Sequence, residues 1–457
     1  MTIRVFGHYC LEGRIRLFGA EAALLGAALL LAARAPVAAA RPLVLPELLA
    51  AGLAFPAALY LNDLYDLGAV ARDREGTRLL RALGMATITV AVVAWLRASA
   101  HARPLAAGSP ASALVGAVGL AAVAVVVNRA VSSRLARRPR RLLVLGTGPR
   151  ARSLARALEQ EPENGVQIVG FVGEPAAAIP RGLLEPAEGR VAEWVARRHA
   201  DAVVVASEDR RGLPVDELLE CRVGGTEVFE ALQLAERSLR RIPLDLLRPA
   251  DLIFTDDWRR SPARWLIKRA FDLAAASLLL LLGAPVMLAT ALLVRLSSPG
   301  PIFFRQERLG LSGRPYRLIK FRTMRADAEA ASGPVWAREH DPRVTGIGAL
   351  LRKSRLDELP QIFNVLEGSM SLVGPRPERP FFVERLRERI PFFDLRLAVK
   401  PGVTGWAQLR YPYGASEEDA RAKLEFDLYY LKNGSLFLDL VIAFHTAKHV
   451  LFGRGAR

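Results

Sequence analysis

Residues 140–160 read RRLLVLGTGPRARSLARALEQ, and this stretch decides how the middle of the chain folds. An apolar run at residues 142–145 leads into Gly146 and Gly148, and a helix-like segment begins near Arg150. A strand, a glycine-rich turn and a helix in that order predict the first unit of a Rossmann-like α/β domain.

Two further strand candidates, Val166–Val172 and residues 202–206, alternate with helical segments. We therefore expect residues 137–250 to form one Rossmann-like domain. The turn reads G-x-G-x-x-A, and the acidic residue expected after the second strand is at best Glu174. The two glycines of the turn are candidate nucleotide-binding residues, but a structural or regulatory role for the domain is favoured because the fingerprint is incomplete.

Upstream of this domain, the chain is dominated by Ala, Leu and Val. Four apolar stretches are each close to the roughly 20 residues that a helix needs to cross a bilayer, and they predict a four-helix transmembrane bundle in residues 1–136. Arginines crowd the segments after the second and fourth stretches, which places both ends of the bundle in the cytosol. The stretches are residues 17–33, 43–61, 79–96 and 114–131.

The formal net charge of +17 fits a nucleic acid, an anionic membrane or a phosphate-bearing substrate as a partner. Much of the excess is Arg close to apolar stretches, and no zinc-finger or RNP-type signature accompanies it. We therefore expect the membrane and phosphates as partners, and no nucleic acid.

Downstream, after a linker predicted at residues 251–263, an apolar helix is predicted at residues 266–296. Pro285 lies in its middle, where it removes a backbone donor and bends the helix. Basic residues flank both ends, so the charge rule puts both ends on the cytosolic side. A re-entrant helix that turns back at Pro285 satisfies both observations, and an ordinary kinked spanning helix is the alternative. A last apolar stretch, residues 435–452, is interrupted by charges and is predicted to be an interfacial amphipathic helix.

The stretch LRKSRLDELPQIFNVL, residues 351–366, carries the adjacent carboxylates Asp357 and Glu358. Pro360 fits the first position of a helix, which leaves the pair at the helix start, where backbone N–H groups favour anions. One carboxylate could attack phosphorus while the other ligates a Mg²⁺ ion that neutralises a diphosphate. The alternative is that the pair only caps a helix. The basic residues that could offset the remaining negative charge are Arg352, Lys353 and Arg355.

Six motifs follow one another in this part of the chain: KRAFD, SPGPIFFRQERLG, KFRTM, LRKSRLDELPQ, SLVGPRP and KPGVTGWAQ. With them, residues 264–457 resemble the catalytic domain of the bacterial sugar transferase family, the polyprenyl-phosphate glycosyl-1-phosphate transferases. The bundle and the Rossmann-like domain make the whole chain similar to the long form of this family. The opening IRVFGHY and the C-terminal stretch resemble the subgroup associated with exosortase (PEP-CTERM) exopolysaccharide loci.

The resemblance implies three parts: a membrane α-helical bundle, an α/β Rossmann-like domain and, at residues 264–457, a mainly α monotopic catalytic domain with a re-entrant membrane helix. It implies transfer of a sugar-1-phosphate from a UDP-sugar to polyprenyl (undecaprenyl) phosphate, with release of UMP, as the initiating step of exopolysaccharide biosynthesis. It also implies a multi-pass protein of the bacterial inner membrane, in contact with membrane lipid, with its catalytic domain on the cytosolic face. A homo-oligomer is compatible with this arrangement.

In the implied reaction, Asp357 attacks the phosphate bonded to the sugar and forms an aspartyl-phosphosugar intermediate. Glu358 assists and holds Mg²⁺, with Asp357 as a second candidate ligand. The matching motifs imply that Lys320, Arg352 and Arg376 contact phosphates, and Asp427 in EFDLYY fits a family acidic position. One departure is Ala284 before Pro285, where family members commonly carry Ser, so the predicted break rests on the proline and the flanking charges.

Two other functions are compatible with parts of the sequence. A membrane-bound nucleotide-sugar dehydratase or epimerase would need a complete NAD loop and a catalytic Tyr-Lys pair, and Tyr316 with Lys320 follows no such loop. A non-catalytic scaffold for polysaccharide assembly is the second alternative. Trp406 could stack on uracil, but packing or a place at the membrane interface is slightly favoured.

Overall fold

The computed structural model describes the chain in separate ranges, and most of residues 1–138 fall outside them. The four predicted membrane spans therefore lie outside the described residues, and the transmembrane bundle stays a prediction. Within that segment, β1 (Thr2–Val5) pairs antiparallel with β2 (His8–Leu11). The described ranges are residues 2–5, 8–11, 139–161, 165–174, 179–186, 188–209, 211–255, 258, 262–325, 341–411, 414 and 416–452.

The middle of the chain forms a five-stranded parallel sheet with helices, as predicted. Its elements are β3 (Arg140–Leu145), α1 (Pro149–Glu159), β4 (Val166–Val172), β5 (Leu184–Glu185), α2 (Val191–Arg198), β6 (Ala202–Val205), α3 (Val215–Val223), β7 (Glu227–Glu230), α4 (Ala231–Leu239) and α5 (Pro249–Ile253). The strand order β5-β4-β3-β6-β7 reverses beside β3, which is the Rossmann-like doubly wound arrangement. Leu142, Leu143 and Val144 are fully buried because β3 is covered on both faces.

The C-terminal part is mainly helical. Its elements are α6 (Pro262–Ser297), β8 (Phe303–Leu309), β9 (Pro315–Phe321), α7 (Gly346–Ser354), α8 (Gln361–Glu367), β10 (Ser371–Val373), α9 (Pro380–Arg387), β11 (Gly402–Thr404), α10 (Trp406–Arg410), α11 (Glu417–Asn433) and α12 (Leu436–Phe452). Strands β8 and β9 form an antiparallel hairpin, and β10 pairs parallel with β11. Short 3-10 turns occupy Leu311–Gly313, Leu356–Glu358 and Phe393–Ala398.

Helix α6 is, among the described residues, the one helix long and apolar enough to cross a membrane. It runs continuously through Pro285, and its leucines on one side are largely exposed, Leu288 by 74%. Both ends attach to the same domain. Near the start, Arg269 donates to the Val365 carbonyl at 2.6 Å, and just past the end the Ser298 carbonyl accepts from Arg322 at 2.7 Å. The re-entrant path through a membrane stays a prediction.

Buried charges fasten α6 to its neighbours. Lys268 of α6 donates to the Asp439 carboxylate of α12 at 2.8 Å, and Tyr430 of α11 donates to the same carboxylate at 2.8 Å. One turn along α6, Asp272 accepts from the backbone N–H of Leu372 in β10 at 3.2 Å. Helix α12 begins one residue after the predicted start, and its Asp439 is an internal ion-pair partner, only 1% exposed, instead of a solvated interruption of an apolar face.

Three glycines let two backbone segments cross beside β10 and β11. A Cβ atom on Gly402 would meet the backbone N of Gly374, and one on Gly405 would meet the carbonyl of Gly374. Backbone hydrogen bonds lock the crossing, from Gly374 N–H to the Thr404 carbonyl and from Gly402 N–H to the Pro375 carbonyl, both at 2.9 Å. The close approach explains why the SLVGPRP and KPGVTG motifs need glycine at these positions.

We expect Gly402→Ala to destabilise the catalytic domain by about 1–3 kcal/mol, because the new methyl group forces two backbones apart. Thermal unfolding of the purified protein measures the loss. Gly346→Ala is the matched control, since nothing lies within 4 Å of a Cβ atom there. Equal stability of the two variants would contradict the crossing as described.

Candidate active site

The carboxylates of Asp357 and Glu358 lie in a 3-10 turn between α7 and α8. Arg355 ends α7 in the left-handed conformation, with φ of 56°, and redirects the chain into this turn. Helix α8 begins at Gln361. Pro360 was predicted to be the first helical residue, but it is the N-cap residue, one position earlier. The carboxylates therefore precede a short helix by a turn, and their environment is set by side chains from other elements.

Glu358 is the acceptor for two cations that come from distant parts of the chain. Lys320 at the end of β9 and Arg376 after β10 each donate to its Oε1 atom at 2.9 Å. Arg355 Nη1 lies 3.9 Å from its Oε2 atom. Burial alone would raise the pKa of Glu358, but Lys320 and Arg376 outweigh it and hold the pKa well below the usual range. Glu358 is therefore firmly ionised.

Asp357 has the opposite electrostatic character. Burial raises its pKa above the usual range, the charge of Glu358 raises it further, and Lys320 partly offsets this effect. Asp357 is only 8% exposed. Desolvation also lowers the pKa of Lys320, although Glu358 opposes that shift. Neighbouring carboxylates with divergent pKa values suit different roles in one reaction.

Three cations surround this pair. They are Lys320, Arg352 and Arg376, which the family resemblance implies as phosphate contacts. The Arg352 Nε atom donates to Thr323 Oγ1 at 3.0 Å, and its charge favours ionised Asp357. Three structural elements thus deliver cations to two adjacent carboxylates. Such an arrangement can bind a dianionic or more highly charged phosphate group next to a carboxylate nucleophile.

Asp427 is buried next to the cluster of Lys320, Arg352 and Arg376, and it is linked to that cluster through Arg396. It pairs with Arg396 at 2.9 Å, with side chains exposed by 2% and 8%, and burial raises the Asp427 pKa to about 6. Arg396 also donates to the backbone carbonyl of Arg376 at 2.9 Å. The structure thus connects Asp427 to the cluster through Arg396, and direct contact with substrate stays a prediction. Arg396 was not predicted from the sequence. The only indication of it is that a buried carboxylate such as Asp427 needs a cation as a partner.

Trp406 is 4% exposed, and its Nε1 atom donates to the Arg240 carbonyl at 2.9 Å. It packs between the Rossmann-like and catalytic domains, so the packing alternative is confirmed. Neither uracil stacking nor a place at the membrane interface describes its position.

Gly146 and Gly148 occupy the turn between β3 and α1. Gly146 has φ of 118°, and a Cβ atom there would lie 3.1 Å from the Ala206 carbonyl, so the position requires glycine. A carboxylate oxygen of Glu208 lies 3.5 Å from where a Cβ atom on Gly148 would be. An acidic side chain therefore stands beside the turn that would face a pyrophosphate. Nucleotide binding by these glycines stays a prediction.

Two adjacent carboxylates, those of Asp357 and Glu358, are the candidate ligands for Mg²⁺ at this site. Within the described ranges, no group of three or more His, Cys, Asp or Glu side chains is arranged to hold a metal ion. Mg²⁺ in phosphoryl-transfer sites is commonly held by one or two carboxylates together with substrate phosphates. Asp357 and Glu358 match that smaller set, with Glu358 Oε1 already committed to Lys320 and Arg376.

Comparisons with known proteins find relatives of this chain. The family model described as bacterial sugar transferase matches residues 263–453. A UDP-N-acetylgalactosamine-undecaprenyl-phosphate N-acetylgalactosaminephosphotransferase of Aeromonas hydrophila is 43% identical over 56% of this chain and 60% of its own length. A UDP-glucose:undecaprenyl-phosphate glucose-1-phosphate transferase of Caulobacter vibrioides is 43% identical over 53% of this chain and 97% of its own length. The exopolysaccharide production protein PSS of Rhizobium leguminosarum bv. phaseoli is 43% identical over 39% of this chain and 92% of its own length.

The range that the family model matches includes the six motifs and the carboxylate cluster. The chain spans 60% of the Aeromonas relative, so that relative extends beyond the shared region. The Caulobacter relative is covered almost completely at high identity. The family model and the identity to the relatives show that the chain is an enzyme of the bacterial sugar transferase family.

Proposed function

We propose that this chain transfers a sugar-1-phosphate from a UDP-sugar to undecaprenyl phosphate and releases UMP. The observation that supports this most is Asp357, a buried carboxylate with a raised pKa, beside a Glu358 carboxylate held by Lys320 and Arg376. The names of the Aeromonas and Caulobacter relatives supply the donor and acceptor classes.

In the proposed first step, an Asp357 carboxylate oxygen attacks the phosphorus bonded to the sugar. The bond from that phosphorus to the bridging oxygen breaks, and UMP leaves with the oxygen and its negative charge. In the second step, a phosphate oxygen of undecaprenyl phosphate attacks the same phosphorus and the Asp357 carboxylate is released. Positioning and charge neutralisation carry most of such a reaction.

The basic residues have separate tasks in this proposal. Arg352 and Arg376 hold the diphosphate of the donor, and Lys320 orients Glu358 and offsets charge beside Asp357. Glu358, with Asp357 as the second candidate, would hold Mg²⁺ together with donor phosphate oxygens. When bound, the ion supplies neutralisation of the diphosphate charge.

The catalytic domain is proposed to lie at the bacterial inner membrane. The exposed apolar side of α6 suits membrane lipid, and the attachment of both its ends to one domain suits a re-entrant path with the catalytic domain on the cytosolic face of the bacterial inner membrane. The Rhizobium relative supports a role in exopolysaccharide biosynthesis. Because the proposed reaction loads the first sugar on the lipid carrier, it would be the initiating step of that biosynthesis.

The direct test is release of UMP from a panel of UDP-sugars by the purified full chain with undecaprenyl phosphate. Release that depends on both substrates supports the proposal and identifies the sugar. If a correctly folded preparation releases no UMP from any donor, the proposal fails and a scaffold becomes the better description.

We expect single-turnover release of UMP, measured without the acceptor, to follow a bell-shaped pH profile. Asp357 must be ionised to attack, and its raised pKa moves the acid limb above the range of an ordinary aspartate, so the rate rises as the pH increases through that pKa. The lowered pKa of Lys320 brings the alkaline limb below the range of an ordinary lysine. Omitting the acceptor removes the titration of its own phosphate from the acid limb.

Lys320→Arg is the matched variant for this profile. Because arginine keeps its proton in alkali, the alkaline limb should move to higher pH while the acid limb stays in place. An acid limb in the ordinary aspartate range, or an alkaline limb unchanged in this variant, would contradict these assignments.

A further inference from the structure

Helix α11 is buried on all sides along two turns of its C-terminal half. These residues are Leu424, Glu425, Phe426, Asp427, Leu428, Tyr429, Tyr430 and Leu431. A helix that is covered all round, charged residues included, lies between two packed bodies and not at a surface. For α11 these bodies are the Rossmann-like domain and the rest of the catalytic domain.

Toward the Rossmann-like domain, α11 presents Glu425. Its backbone carbonyl accepts from the Ile242 N–H at 3.0 Å, and its carboxylate accepts from the Leu244 N–H at 3.1 Å. The Arg241 Nη1 atom lies 3.4 Å from the same carboxylate. The chain segment after α4 is thus pinned to the middle of α11 by both its backbone and its charge.

At its C-terminal end, α11 is held by Glu236 of α4. This carboxylate is 2% exposed, and it accepts from Lys432 Nζ and from Asn433 Nδ2, both at 2.7 Å. A buried carboxylate with two donors from one helix end fixes the position of that end, since leaving any partner unpaired is costly.

The opposite side of α11 carries Asp427. Two residues along a helix correspond to a rotation of about 200°, so Asp427 and Glu425 point in nearly opposite directions. Asp427 holds Arg396, and Arg396 donates to the backbone carbonyl of Arg376. Arg376 in turn donates to Glu358. A continuous chain of hydrogen bonds and helix backbone therefore runs from Glu236 in the Rossmann-like domain to Arg376 beside the reacting carboxylates.

We propose that the Rossmann-like domain positions Arg376 through α11, with Glu236 and Glu425 as positioning residues for binding of the donor diphosphate. The inference rests on the proposed function, in which Arg376 holds that diphosphate. A shift of α11 moves Asp427 and Arg396 together, and the Arg376 loop follows. The Rossmann-like domain thereby acts on the affinity of the active site for the donor, whether or not its own glycine turn binds a ligand.

The test compares Glu236→Ala, Glu236→Gln and Asp245→Asn in the full chain. We expect Glu236→Ala to raise the KM for the UDP-sugar about tenfold, since a displacement of under 1 Å at a positioning group has effects of this size, and to leave the KM for undecaprenyl phosphate unchanged. Glu236→Gln keeps one of the two acceptor oxygens but not the charge that faces Lys432, so it should recover only part of the loss. Asp245→Asn removes an exposed ion pair with Arg421 at the same domain boundary and should match the wild type.

A double-mutant cycle links the effect to Asp427. In an Asp427→Ala background, which removes the acceptor for Arg396 and so breaks the path to Arg376, Glu236→Ala should add no further rise in donor KM. Partial unfolding lowers the number of active molecules and so the apparent kcat, but not KM. A loss confined to kcat, an additive cycle, or an equal effect of Asp245→Asn would overturn the inference. A wild-type enzyme that releases no UMP would instead overturn the proposed function.

Discussion

Asp357→Asn is expected to abolish transfer of the sugar phosphate while leaving the protein folded. Asparagine has nearly the same shape as aspartate but offers no anionic oxygen to attack phosphorus. Loss of a covalent nucleophile lowers kcat on the order of 10⁴-fold or more. The measurement is UMP release with and without acceptor, together with mass spectrometry of the protein for a phosphosugar adduct on residue 357.

The stability of this variant provides a second readout. The raised pKa means that the folded protein holds the Asp357 proton more tightly than the unfolded chain does, so the ionised carboxylate costs stability at neutral pH. Replacing it with a neutral amide should therefore leave Tm unchanged or raise it. Asp394→Asn, which alters an exposed carboxylate paired with Arg387, should affect neither activity nor Tm.

Two results would contradict the covalent route. One is normal loading of undecaprenyl phosphate by the Asp357→Asn variant. The other is a wild-type enzyme that releases UMP only when undecaprenyl phosphate is present and carries no adduct on Asp357 in its absence, which would indicate direct displacement. Loss of activity accompanied by a large fall in Tm would refute the stability argument for Asp357.

Glu358→Gln is expected to damage both stability and activity. Glutamine cannot compensate the charges of Lys320 and Arg376, which both donate to Glu358 Oε1 at 2.9 Å. Removing one partner of a partly buried ionic cluster costs about 3 kcal/mol or more, which corresponds to a fall in Tm of roughly 6–12 °C for a domain of this size. UMP release should fall steeply as well, because Lys320 and Arg376 lose the group that orients them.

The stability that ionised Glu358 contributes to the folded protein changes with pH in the opposite direction to that of Asp357. A lowered pKa in the folded state means that ionised Glu358 contributes stability above the pKa of the unfolded chain, and this contribution disappears as the pH falls through the folded value. Glu417→Gln is the matched control, since the same substitution at an exposed pair with Arg389 should change Tm little. Similar Tm values for both variants would show that Glu358 is not the structural centre of the cluster.

Strands and helices whose pattern depends only on neighbouring residues could be predicted from the sequence. The run before Gly146 is an apolar strand followed by a helix, and the structure confirms β3 and α1 there. Val166–Val172 is a strand with the predicted bounds. Helix α6 extends the predicted apolar segment by one turn at its start, because a helix continues into polar residues as long as its backbone hydrogen bonds are made.

The arrangement around Asp357 could be predicted only in part, because its partners are distant in sequence. The resemblance pointed to Lys320, Arg352 and Arg376, but nothing local indicates that two of them share one oxygen of Glu358. Arg396, Glu236 and the burial of Trp406 at a domain boundary depend on packing between residues far apart along the chain. No periodicity or motif spacing encodes such contacts.

The buried charges that fasten α6 have a consequence for building hybrid proteins. The partly buried Lys268 pairs with Asp439, and the buried Asp272 accepts from the backbone of β10. A foreign hydrophobic segment grafted in place of α6 would strand the Asp439 carboxylate without its cation in an apolar surrounding. The exposed apolar surface of α6 alone therefore does not make the helix interchangeable, and a working chimera must also carry over Lys268 and Asp272.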